Sequence, residues 1–146
     1  MLLKNIYEKI SNWLPLKGKH LSRPRRPLIS PGDIADKITI LFIKIRRIED
    51  PDRQEQFATE LLFDIKALKE WRRWKPDVST VQLDALLDEL RGINEVQWDL
   101  EDQVRLGGSL EAAQAARRNN TKRVEVKNMI NEVFGWFLEV KEYKGE

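Results

Sequence analysis

IADKITILFIKIRRI, residues Ile34 to Ile48, is the stretch on which the fold turns. Ile34, Ile38, Leu41, Ile45 and Ile48 recur at helical steps and mark one face, while Ile40 and Ile43 mark a second. A helix apolar on almost every side is enclosed by neighbours, so the spacing predicts a central helix. At about 100° per residue the second face also carries Asp36, Lys44 and Arg47, with Lys37 at its margin. Charges enclosed in this way need partners from other helices, because an unpaired buried ion costs several kcal/mol.

Working outward, Ser30-Pro31-Gly32-Asp33 reads as a capping box that starts this helix, which should run to about Glu49. Asp50 caps a second helix with Pro51 at its first position. Its apolar residues Leu61, Leu62, Ile65, Leu68 and Trp71 continue until Pro76 stops it. Ser79, with Gln82 three residues on, begins a third, whose seam is expected at Leu83, Leu86, Leu90, Ile93, Leu100 and Val104 before Leu106-Gly107-Gly108. A fourth starts at Ser109 and reaches Phe134, with a weak point at Asn119-Asn120 and a stop at Gly135. Trp136 to Tyr143 fits either an extended piece or one more turn. The expected fold class is all-α, a four-helix antiparallel bundle core with short connections.

Ahead of the bundle, Leu3, Ile6, Ile10, Trp13 and Leu14 alternate helically with Lys4, Asn5, Glu8, Lys9 and Asn12, a short amphipathic helix. Pro15 and KGKHLSRPRRP then form a basic, extended linker. Residues 1–29 are therefore expected as an arm and 30–146 as a single bundle domain. The first 30 residues hold seven Lys and Arg against one Glu, a balance of +6, and the remainder holds 19 basic and 23 acidic residues, a balance of −4. Such an asymmetry points the arm at an anionic partner. An amphipathic helix with a polybasic segment is a two-signal membrane-surface device, with Leu3, Ile6, Ile10 and Trp13 as the contact residues. The alternative is that these four side chains pack on the bundle or on another protein. Nucleic acid fits less well, because the basic segment lacks interleaved aromatics.

A chain of 146 residues with 41% hydrophobic residues, five Trp and five Phe can bury one core. No apolar run approaches the ~20 residues of a membrane span, and no cleavable leader is evident, so a cytoplasmic location is expected, peripheral at the inner membrane if the arm engages lipid. Zero Cys and one His, His20 in the linker, argue against thiolate, Ser-His and zinc chemistry. Asp88, Glu95, Asp99 and Asp102 fall on one solvated side of the third helix and read as an acidic face, so no metal and no cofactor is expected.

Two further polar stripes could partner the central helix. In the third helix Asn94, Glu101 and Arg105 flank the apolar seam, with Trp98 beside them; in the fourth, Asn120, Arg123, Lys127 and Asn131 share a sector with Ile130 and Phe134. Three readings fit. The groups could lock interhelical register. They could line a pocket whose Arg and Lys hold a ligand carboxylate or phosphate. Or Glu101 or Asp36 could serve acid–base chemistry in a small helical enzyme acting on a dianionic metabolite.

Four segments in order, DKITILFIKIRRI (Asp36 to Ile48), NEVQWDLEDQVR (Asn94 to Arg105), NNTKRVEVKNMIN (Asn119 to Asn131) and EVKEY (Glu139 to Tyr143), resemble a small bacterial family of helical proteins of unassigned activity. Its members are encoded among glycosyltransferases and other genes of lipopolysaccharide and surface-polysaccharide assembly. The family-like positions are Asp36, Lys37, Thr39, Lys44 and Arg47; Asn94, Trp98, Asp99, Glu101, Asp102 and Arg105; Asn120, Arg123, Lys127 and Asn131; and Glu139, Lys141 and Tyr143. Phe42, Arg46, Thr121 and Val140 depart from the pattern. The resemblance implies an accessory of surface-glycan assembly. Joined to the pocket reading, it gives a site for an anionic sugar or nucleotide sugar at Asp36, Lys44, Arg47, Asn94, Glu101, Arg105, Asn120, Arg123, Lys127 and Asn131, with Arg47, Arg123 and Lys127 as the clamp. The competing expectation is an interaction module that docks a glycosyltransferase through exposed residues such as Trp71 and Trp74.

Overall fold

The computed structural model describes residues 27–136. They form four helices and no strand: α1 (Pro31–Arg47), α2 (Pro51–Trp74), α3 (Thr80–Arg105) and α4 (Leu110–Val133). Each begins where its cap was legible. Ser30 Oγ accepts from Asp33 N, Asp50 from Asp52 N and Arg53 N, Ser79 from Gln82 N and Ser109 from Ala112 N. Gly107 and Gly135, at φ 87° and 69°, supply the left-handed residues after α3 and α4. No break occurs at Asn119-Asn120, because the Asn119 side chain turns inward and bonds to α3 instead of competing for its own backbone. The amphipathic segment with Leu3, Ile6, Ile10 and Trp13, the basic linker and EVKEY lie outside the described residues.

The chain runs up, down, up and down. Gln54 Nε2 donates to Ile45 O and Trp71 Nε1 to Ile29 O, so α2 returns along α1. Asp33 pairs with Lys127 and Asp36 with Arg123, so α4 is antiparallel to α1. As its all-round apolar surface requires, α1 packs against all three other helices, while α3 and α4 form a tight hairpin. α1 crosses that hairpin obliquely. Its N-terminal end lies on α4 through Asp33, and its C-terminal end lies on α3, where Arg46 meets Glu95 and Arg47 meets Asp99.

One core joins Ile34, Ile38 and Leu41 of α1 to Leu61, Ile65 and Leu68 of α2, Leu83, Leu87 and Leu90 of α3 and Val126 and Ile130 of α4. Trp71 closes its lower end, wholly buried, tilted on Phe134 at 5.9 Å and edge-on to Trp136 at 5.6 Å. This corrects the expectation of Trp71 as a docking residue; only Trp74 is exposed. The seam of α3 also shifts: Leu87 takes the place expected of Leu86, and Val104 is exposed. No helix among the described residues is long and apolar enough to cross a membrane.

Candidate functional site

The polar seam is built around Asp36, which α1 turns toward the hairpin and buries to 5% exposure. One turn on, Thr39 Oγ1 donates back to Asp36 O at 2.8 Å, which leaves its lone pairs facing α3. There Asn94 stands on the inner stripe of α3, four residues past Leu90, and divides the two hydrogens of Nδ2 between Asp36 Oδ1 at 3.0 Å and Thr39 Oγ1 at 2.7 Å. From α4, Arg123 closes on the same carboxylate with both arms, Nε to Oδ1 at 2.8 Å and Nη2 to Oδ2 at 2.5 Å. The hydrogen bond to Asp36 outweighs burial and holds the guanidinium above its ordinary pKa. Arg123 Nη1 reaches Asn120 Oδ1 at 3.4 Å. Three donors thus occupy Asp36, an arrangement suited to fixing register rather than to accepting a substrate proton.

Two smaller clusters extend the seam. Toward the start of α1, Gly32 N donates to Asn131 Oδ1 at 2.7 Å, and Lys127 Nζ pairs with Asp33 at 2.7 Å. The hydrogen bond from Lys127 is the main reason that the Asp33 pKa lies below its usual value. Toward the α3–α4 turn, Asn119 Nδ2 donates to Ile93 O at 3.0 Å and Gln97 Oε1 at 2.9 Å, and Gln97 Nε2 donates to Glu101 Oε1 at 3.1 Å. Gln97 and Asn119 were absent from the sequence-derived set. Their signal was spacing: Leu83, Leu87, Leu90, Asn94 and Gln97 step by four, three, four and three, and Asn119 precedes Arg123 by one turn.

The other sequence-derived residues lie apart. Lys44 faces α2, its ammonium 5.3 Å from the centre of the Phe57 ring. Arg47 binds Asp99 at 2.6 Å over the Trp98 ring, and the bond to Asp99 raises its pKa. Arg105 pairs with Asp102 one turn away on the surface. Arg47, Arg123 and Lys127, the expected clamp, therefore hold three different carboxylates, Asp99, Asp36 and Asp33. Among the described residues no group of His, Cys, Asp and Glu could hold a metal ion. Three of the four acids on the outer face of α3 pair with arginines: Glu95 with Arg46, Asp99 with Arg47 and Asp102 with Arg105.

No family model, no curated protein and no solved structure matches this chain.

Proposed function

We propose that this chain is an interaction module of cell-surface glycan assembly, a bundle closed on its own polar seam that docks a glycosyltransferase through the outer face of α2. The observation that carries the docking face is the pair Phe63 and Trp74, 68% and 48% exposed. Eleven residues at ~100° each return to nearly the same side of a helix, so the two aromatic rings stand on one line about 16 Å apart. Large aromatics on a shared face are the anchors of protein interfaces, and the Glu70–Arg73 ion pair beside them supplies a polar rim. The partner class comes from the family resemblance.

The pocket reading, with a phosphosugar or nucleotide sugar as ligand, asks more of the molecule. An anion at Arg123 would have to displace Asp36 from both arms of the guanidinium, leaving a buried carboxylate short of donors. Titration calorimetry of the full chain with a surface-glycan glycosyltransferase from the same organism tests the choice. Phe63→Ala with Trp74→Ala is expected to weaken binding by about tenfold or more while the melting temperature holds. Unchanged affinity in that variant would overturn the reading. So would thermal stabilisation of the wild type by a nucleotide sugar that Lys127→Ala no longer shows.

A further inference from the structure

Because α1 crosses the hairpin obliquely, the interior stripes of α3 and α4 run on past the last residues that the bundle buries, Gln97 and Asn119. Beyond them lies an open groove of about 730 Å³ lined, among the described residues, by these two helices, with Glu101, Val104 and Arg105 on one wall and Ala113, Ala116 and Arg117 on the other. Its floor is apolar and low, since the two alanines let another helix approach closely. Its rails carry opposite charge: on α3 Glu101, beside an Arg105 already neutralised by Asp102, and on α4 Arg117, which makes no ion pair among the described residues. At the tip of the same hairpin Leu106 and Leu110 are 88% and 74% exposed.

We infer that this groove is a self-association face and that its occupant is the α3–α4 hairpin of a second copy of this chain. A two-fold interface must be self-complementary, so that whatever one copy's α3 offers meets the other copy's α4 and the reverse. An acidic rail and a basic rail on the two sides of one groove satisfy that condition: Glu101 of each copy faces Arg117 of the other, twice over. The exposed Leu106 and Leu110 then lie against the partner hairpin, whose Val104, Ala113 and Ala116 they cover. A docking partner of a single charge would find one rail matched and the other repelled. The α2 face used in the proposed function lies on another helix, so the two surfaces can fail or succeed separately.

The test is a pair of charge reversals read by sedimentation of the full-length chain. Wild type is expected to show a monomer–dimer equilibrium. Glu101→Arg places Arg against Arg twice, and Arg117→Glu places Glu against Glu twice, so each variant alone is expected to dimerise about tenfold or more weakly. Mixed in equal amounts, the two variants restore both pairs, and a mixed dimer of near wild-type strength is expected. Glu101→Arg also loses the bond from Gln97, so thermal melting accompanies each measurement, and Arg117→Glu, at an exposed site, reports on the interface without that change. A wild-type chain that stays monomeric at every concentration would overturn the inference. A dimer indifferent to both reversals, or a mixture no stronger than its parts, would do the same.

Discussion

Asp36 and Lys37 are neighbours in sequence and, about 100° apart on α1, face different helices. Asp36 meets α3 and α4, where three donors fill its two oxygens. Lys37 meets α2, where its ammonium stands 3.5 Å from Asp64 Oδ1 and is itself 57% exposed. Asp64 is nearly as buried as Asp36, yet Oδ2 has no partner among the described residues, and burial pushes its pKa up against the weak help of Lys37. The two carboxylates differ in supply. The seam provides a guanidinium fork and an amide, while the α2 side provides one largely exposed ammonium. Donors in a fixed geometry let a buried carboxylate act as a structural rivet; without them it is a cost the core carries.

The largest effect should come from taking away the supply. Arg123→Ala leaves Asp36 buried with one amide donor, and a loss of about 3–5 kcal/mol in denaturant unfolding is expected. Asp36→Asn combined with Arg123→Met removes the charge along with its partner and should lose clearly less. Equal losses in the two variants would mean that the pair contributes packing and no electrostatic lock. A smaller effect probes how tightly α1 is drawn onto α4. A Cβ on Gly32 would stand 2.4 Å from Lys127 O, a backbone atom that cannot swing aside, so Gly32→Ala should cost about 1–3 kcal/mol. The control is Gly92 in the interior of α3, where nothing lies within 4 Å and alanine should instead stabilise by up to about 1 kcal/mol.

The four caps were legible in the sequence because capping is local: a Ser or Asp, then Pro or the first helical turn, decides the start with no knowledge of the rest. The seam was half legible. Asp36, Asn94 and Arg123 announced themselves as polar residues on apolar stripes, and the requirement that Asp36 find partners on other helices was met. Which cation it would choose was not, because Arg47 shares its face by periodicity and is carried to Asp99 by the tilt of α1, while Lys44, about 80° round the helix from Asp36, falls toward Phe57 of α2. Crossing angles arise from packing among several helices and leave no mark at a single position. The same tilt opens the groove at Val104, whose place on the apolar pattern promised burial.

The finest discrimination between well-supplied and poorly supplied carboxylates is the sign of a pH slope, and Asp33 and Asp64 should give opposite ones. Asp33 has a pKa below its ordinary 3.8, chiefly through Lys127, so its ionised form favours the folded state. That contribution is complete above 3.8 and is lost as pH falls through the lower folded value. Asp64 has its pKa raised above 3.8 by burial, so its neutral form favours the fold, and the contribution present at low pH is lost as pH rises through the higher folded value. Asp33→Asn should therefore be less stable than wild type near neutral pH, with the gap closing on acidification below 3.8. Asp64→Asn should gain on wild type as pH rises through the window above 3.8, the opposite direction. Asp33 is half exposed to screening solvent, and Lys37 offsets part of the cost at Asp64. The comparison rests on sign: melting temperatures of the two variants, each taken as a difference from wild type across the acid range, should diverge, and parallel curves would mean that the two carboxylates are equally well served.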